Sequence, residues 1–341
     1  MTHLFMNGLR RGINLGGWLS QSRRRGEDRR GFYRAADASA LRTAGFDHVR
    51  LPVDEAQLWT EDGGRETEAW ELLRRGLDDS LAAGLKVMVD LHILRSHYFM
   101  AEEKPLFTDS AAPERFADCW REIAEALGGY PSDRVAFELM NEPVAARAED
   151  WNRVYPYPYR AIRERDPERL VMIGSNKWNQ AVTFPELAVP DDDPHLLLTF
   201  HYYNPMPITH YRAGWVAACA AYEGPIQFPG RPIPEAELAK VPEPHRTTLA
   251  SWNEPFGPDA IRCHLAPVLE VRERTGLPVH CGEFGAIHQA PPDLVRTWHE
   301  TVIGEFEEAG IPWTAWSWKG RFGMTDADGR PLPWASALLS A

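Results

Sequence analysis

The sequence predicts a (β/α)8 barrel, and three observations carry that expectation. Eight short apolar runs recur along 341 residues, separated by segments with helical periodicity. The runs are continuously apolar rather than alternating, as in parallel strands covered on both faces. No run leads into a phosphate-binding glycine loop, because Gly16-Gly17 lacks the spacing of a dinucleotide fingerprint, so an open doubly wound sheet fits less well. Without an internal repeat or a low-complexity linker, residues 1–341 read as a single domain.

The strands are expected at residues 9–15, 48–53, 86–92, 135–142, 169–175, 196–203, 278–285 and 313–319. Helical patterning fills residues 35–44, 66–83, 113–127, 150–165, 259–275 and 291–309. Two stretches interrupt the rhythm. The arginine-rich segment Ser22 to Arg30 reads as a solvated loop. The long connection from Asn204 to Pro258, after strand six, is stiffened by prolines and carries Trp215, Tyr222, Phe228, Trp252 and Phe256. Such aromatics make it a packed lid or cleft wall rather than a disordered insert.

Composition removes several classes of partner. A net charge of −12 argues against nucleic acid and anionic membrane. No apolar run approaches the length of a membrane span. Cys119, Cys219, Cys263 and Cys281 form no CxxC pair and read as free buried thiols. The first ten residues lack a basic segment followed by an apolar run, so a cytoplasmic location is expected, or a secreted one were a leader to precede them. Thirteen Trp, ten Tyr and fourteen Phe exceed ordinary core needs and suit a cleft that stacks flat sugar faces.

Two strand ends carry the chemistry. Val135-Ala-Phe-Glu-Leu-Met-Asn-Glu-Pro143 is an apolar run that ends in Asn141-Glu142, and Pro143 should stop the strand near Glu142. Leu277-Pro-Val-His-Cys-Gly-Glu-Phe-Gly285 repeats the plan with Glu283. A buried carboxylate is costly without a role. Two of them at the same end of a barrel suit glycoside hydrolysis with retention, which needs an acid/base and a nucleophile about 5 Å apart. The nucleophile must be ionised, and Arg50 and Tyr203 are the available donors. Asn141 is placed to bind a sugar 2-hydroxyl, His92 and His201 to orient hydroxyls or carboxylates, and Trp316 to lie beneath a sugar ring. Trp18, Trp178 and Trp318 are candidates for neighbouring subsites, and Trp318–Asp328 and His97–Pro105 for loops that set specificity.

Val49-Arg50-Leu-Pro52, Asp90-Leu-His92, Asn141-Glu142-Pro143, His201-Tyr202-Tyr203 and Gly282-Glu283-Phe284-Gly285 resemble, in this order, the signature blocks of glycoside hydrolase family 5. Gly12-Ile-Asn-Leu-Gly-Gly-Trp18 resembles that family's opening block, and the resemblance runs from Arg11 to about Gly323. It implies the (β/α)8 barrel, no cofactor, Glu142 as acid/base, Glu283 as nucleophile, and Arg50, His92, Asn141, His201, Tyr203 and Trp316 in support. It also implies a carbohydrate substrate: a β-linked glucan, an oligosaccharide or a glycoside. Ile93-Leu-Arg-Ser-His97 departs from the family's small turn, which makes His97 and Tyr98 candidates to reshape a subsite.

Other readings remain at this stage. A non-catalytic sugar-binding barrel would keep Trp316 without needing both glutamates. A metal-dependent hydrolase would have to recruit His92, His201 and His210, and a Schiff-base enzyme would have to use Lys319. Within the family reading, β-mannan and transglycosylation stand beside β-glucan hydrolysis, endo beside exo attack.

Overall fold

A computed structural model describes residues 4–190, 192–325, 330–332 and 335. Asp326 to Asp328, part of the last loop named above, lie outside the described residues. Eight parallel strands close into a barrel in sequence order, β1 pairing with β8. They are β1 (Arg11–Asn14), β2 (His48–Asp54), β3 (Lys86–Ile93), β4 (Val135–Glu138), β5 (Val171–Gly174), β6 (Leu196–Tyr202), β7 (Val279–Phe284) and β8 (Trp313–Ala315).

Alternation persists inside these wholly buried strands, but it separates two interiors. Val49, Leu51, Val87, Val89, Leu198 and Phe200 join the apolar layer between barrel and helices. The intervening residues face the barrel axis. At its N-terminal end Met88, Ala136, Met172 and Leu197 form a plug closed by Phe5 and Leu9. Toward β1, β2, β7 and β8 the interior turns polar instead. His48 meets Asp47 at 2.6 Å through Nδ1 and the Thr314 hydroxyl at 2.8 Å through Nε2, and that hydroxyl meets His280 at 2.9 Å. These bonds partner the buried polar atoms of the chain, His280 Nδ1 excepted.

Three expected elements differ. Strand β4 ends at Glu138, four residues early, since only Leu139 N–H still reaches the next strand, at the Met172 carbonyl. Strand β8 ends at Ala315, although Trp316 N–H still donates to the Phe284 carbonyl. The helix expected over 150–165 is two, Ala148–Val154 and Pro156–Arg165, because Pro156 brings no N–H to continue the ladder. Between β5 and β6 a tight turn and the 3-10 segment Ala181–Glu186 replace a long helix.

The 204–258 connection is packed, as its aromatics require. It holds four short helices and buries Ile208, Tyr222, Ile233, Leu249 and Phe256. Asn253 ties it together, accepting from Ile233 N–H at 2.7 Å and donating to the Ile233 carbonyl at 2.8 Å. The 22–30 segment is not simply solvated. Arg29 is buried, donates to Gln57 and Glu66, and offers its carbonyl to the Trp18 indole. Cys263 is exposed, against the expectation of burial, whereas Cys219 and Cys281 are buried and Cys119 is partly so; all four are free.

Gly12 is required where it stands: a Cβ there would lie 2.1 Å from His48 Nε2. Gly12→Ala must therefore displace His48 from Thr314 and should cost about 2 kcal/mol or more. Gly129→Ala, with open space around it, serves as the control. Scanning calorimetry should show a lower melting temperature for the first variant alone; equal melting of both would refute the close-packing account.

Candidate active site

The C-terminal ends of the strands converge on Arg50, which lies inside the barrel and is fully buried. Its Nε and Nη2 donate to both oxygens of Glu138 at 2.6 and 2.9 Å. Nη1 donates to Glu283 Oε1 at 2.7 Å and to Asn14 Oδ1 at 2.9 Å. Nη2 also reaches Asn141 Oδ1 at 3.0 Å and Asp90 Oδ2 at 2.9 Å. One guanidinium thus bridges β1, β3, β7 and both ends of the turn that follows β4. A planar fork with five donors can do this and a lysine cannot.

Glu283 reaches the axis through a bulge. Phe200 pairs with Cys281, but His201 pairs with Glu283, leaving Gly282 as the extra residue. The inward-outward phase therefore shifts, so that Glu283 faces inward with His201 while Phe284 faces the helices. Bulges re-aim side chains in this manner beside active sites. Gly282 is needed because a Cβ would lie 2.7 Å from the Thr199 hydroxyl.

The two glutamates stand in unequal surroundings. Glu283 accepts from Arg50 and, through Oε2, from the Tyr203 hydroxyl at 2.9 Å. Glu142 has His201 Nδ1 at 2.9 Å, and that nitrogen is 3.7 Å from Glu283 Oε2. Carboxylate oxygens of Glu142 and Glu283 and a ring nitrogen of His201 all lie within 4.8 Å of one another. Burial raises the pKa of both glutamates. Glu142 is carried well above the usual range, with the charge of Glu283 as the next cause, whereas Arg50 and the Tyr203 hydrogen bond hold Glu283 back. Of the two, Glu142 therefore holds its proton the more tightly.

The other expected residues come to the same place. His92 donates through Nδ1 to Asp90 at 2.6 Å; burial pulls its pKa down to about 4, so the ring is neutral and Nε2 accepts from Gln21 at 2.9 Å. Its face stacks on Trp316 with centroids 5.5 Å apart. Trp316 in turn fits over Gly16, where a Cβ would meet the indole at 2.7 Å. Asn141 has its oxygen committed to Arg50, which leaves its NH2 to project as a donor. All eight residues expected from the sequence, Arg50, His92, Asn141, Glu142, His201, Tyr203, Glu283 and Trp316, therefore form one constellation.

The weaker candidates divide. Trp178 is 39 % exposed and stands beside the Glu142 turn, its N–H donating to the Pro143 carbonyl at 3.2 Å. Trp18 and Trp318 are buried among Phe32 and Tyr33 and present no face to a ligand. His97 is buried and cannot line a subsite, while Tyr98 is 40 % exposed. His210 lies against Tyr203 and Phe322 and is not brought to His92 and His201 as a metal trio. Among the described residues the one cluster with cation-ligand spacing is Glu142, His201 and Glu283, whose Glu283 oxygens already accept from Arg50 and Tyr203. Lys319 lies over the Trp318 ring at 3.8 Å and donates to the Phe32 carbonyl, away from the glutamates.

Sequence reasoning missed Asn14, Gln21 and Glu138 and gave Asp90 no role. Burial pushes Asp90 and Glu138 up to about 7 in spite of Arg50. A signal for Glu138 existed: it is a carboxylate in the middle of an apolar run, which demands a buried cation somewhere.

The charge of Glu283 raises the pKa of Glu142, so neutralising it should lower that value. A 13C-NMR titration of the Glu142 carboxyl in Glu283→Gln is expected to show a midpoint below that of the unaltered protein. An unmoved midpoint would mean that the two carboxyls do not sense each other.

Residues 26–321 match the sequence model of the cellulase family, glycosyl hydrolase family 5. Endoglucanase C of Acetivibrio thermocellus is 32 % identical over 328 residues, 94 % of each chain. Cellodextrinase A of Ruminococcus flavefaciens is 30 % identical over 307 residues, 89 % of this chain and 84 % of its own. The crystal structure of endoglucanase Cel5A from Thermotoga maritima superposes with a TM-score of 0.79 at 23 % identity over 99 % of both chains, a likeness of fold. The chain belongs to glycosyl hydrolase family 5 and is a glycoside hydrolase.

Proposed function

We propose that this enzyme is an endo-acting β-1,4-glucanase that cleaves with retention, with Glu142 as acid/base and Glu283 as nucleophile, in a single catalytic domain spanning the chain. The observation that carries the roles is the unequal environment of two carboxyls within 4.8 Å. Ionised Glu283 attacks the anomeric carbon as Glu142 protonates the leaving oxygen. The resulting ester consumes the charge of Glu283, which removes one cause of the raised pKa of Glu142. Glu142, left ionised by the first step, then takes a proton from the water that attacks the anomeric carbon, and Glu283 departs as a carboxylate. Asn141 NH2 is placed for the 2-hydroxyl, and Arg50 and Tyr203 hold Glu283 on line.

The substrate class rests on the relatives. The endoglucanases and the cellodextrinase named above act, by their names, on β-glucans and cellodextrins. An open cleft is supported by half-exposed aromatics on both sides of the glutamates. Trp178 stands on the Glu142 side, while Tyr98 extends the row Trp316, His92, Phe99 on the other. Trp215, also half exposed, adds a ring from the 204–258 connection. Among the described residues no helix is long and apolar enough to cross a membrane; the enzyme is proposed to work on carbohydrate alone, without nucleic-acid or membrane partners.

Glu283→Gln should abolish turnover and leave oligosaccharide binding measurable by calorimetry, since the amide keeps the shape and one acceptor. The first-formed product should carry the retained anomer in proton NMR. An inverted product, or ordinary turnover by the variant, would overturn the assignment.

A time course on cellohexaose, laminarihexaose and mannohexaose tests specificity. Mid-chain cuts in cellohexaose are expected. Mannohexaose as the preferred substrate would replace glucan with mannan in the proposal; one structural neighbour was solved with mannotriose. Release of single sugars from one end would replace endo with exo attack.

A further inference from the structure

The turn that carries Glu142 is outside the sheet. β4 has ended at Glu138, and Pro143 has no N–H to give. Its backbone is held instead by groups from two other loops. From the loop after β5, Asn179 donates to the Asn141 carbonyl at 3.4 Å, Trp178 N–H to the Pro143 carbonyl, and Asn176 brackets Ala145, accepting from its N–H at 2.8 Å and donating to its carbonyl at 3.2 Å. Lys177, Trp178 and Asn179 adopt left-handed backbone angles to do this, with φ of 53°, 60° and 56°. Such a run of non-glycine residues is costly and persists where surrounding contacts impose it.

Val144 N–H is held from the other side. It donates to His97 Nε2 at 3.1 Å. His97 is 1 % exposed and stands edge-on to Phe107 at 5.5 Å. Its own backbone is locked by paired bonds with Leu94, both 3.0 Å. Since Nε2 accepts, the ring proton is on Nδ1 and the ring is neutral. Burial, with Lys104 nearby, pulls the pKa down to about 3, so that state persists at any working pH.

We propose that His97 is a positioning residue for the proposed acid/base: through the Val144 N–H it fixes the Glu142 turn so that the carboxyl meets the leaving oxygen. The inference rests on the assignment of Glu142 made above. Protein positioning of this kind is worth about 10- to 100-fold when lost. The loss falls on proton delivery, not on nucleophilic attack. It therefore depends on the leaving group, which a merely structural role does not.

The test uses aryl β-cellobiosides, from 2,4-dinitrophenyl, which leaves unaided, to phenyl, which needs the acid. Three variants are compared: His97→Phe, which keeps the ring packing on Phe107 but not the acceptor; His97→Gln, whose amide oxygen restores an acceptor; and Glu142→Ala. kcat/KM of His97→Phe for the phenyl substrate should fall about 10-fold or more while the dinitrophenyl substrate loses less than about 3-fold. His97→Gln should recover most of the difference. Equal losses on both substrates by His97→Phe, or no recovery in His97→Gln, with Glu142→Ala still selective, would overturn the proposal for His97 alone. A Glu142→Ala variant that loses equally on both substrates would instead overturn the assignment of Glu142. Should His97→Phe not fold, His97→Ala reads the same ratio.

Discussion

One buried guanidinium makes the interior of this barrel possible. Asp90, Glu138 and Glu283 all approach Arg50 within 3 Å, where all four side chains are buried. Three carboxylates there without a cation would each carry an unrelieved desolvation penalty and repel the others. Arg50 offsets both effects and also fixes where each group points, because its five N–H vectors are rigid. Asn14 and Asn141 complete its donors, and their own orientations follow from that. Arg50 thus helps to set the positions of the Glu283 carboxyl, together with Tyr203, and of the Asn141 amide.

Difference between the two proposed catalytic glutamates follows from what Arg50 can and cannot reach. It touches Glu283 but not Glu142, which is left with His201. The same residue type therefore sits in a cation-rich place and a cation-poor one, with carboxylate oxygens within 4.8 Å of each other. Environment, rather than identity, divides the proposed acid from the proposed nucleophile. The polar chain of Asp47, His48, Thr314 and His280 below this layer has another consequence: the barrel has no apolar middle on that side, and the site rests on hydrogen bonds rather than on packed methyls.

The aromatic content divides between two tasks. Trp18, Trp120, Trp151, Trp298, Trp313 and Trp318 are fully buried. Trp120, Trp151 and Trp298 use their indole N–H to bond the Leu139, Gly174 and Asn204 carbonyls, just where β4, β5 and β6 run out of ladder partners. Helix-borne rings thus finish the strand ends that carry the site, while Trp178, Trp215 and Tyr98 are the aromatics left half exposed. Composition could count these rings but not sort them, because an indole in a core and an indole in a cleft look alike in sequence.

What the sequence determined by itself was whatever depends on near neighbours. Short apolar runs separated by helical pattern were enough for the barrel, and polar residues at the ends of those runs were enough to collect Arg50, His92, Asn141, Glu142, His201, Tyr203, Glu283 and Trp316 at one face. The tertiary structure decided what depends on distant partners. Arg50 and Glu283 are 233 residues apart, and no local periodicity announces that they meet. Glu138 became a ligand of Arg50, and His97 a support for Val144 rather than a subsite residue, only when strands closed in a circle. The bulge at Gly282 likewise belongs to a pair of strands and not to either alone. Local pattern sets which face a residue takes; closure of the barrel sets what it meets there.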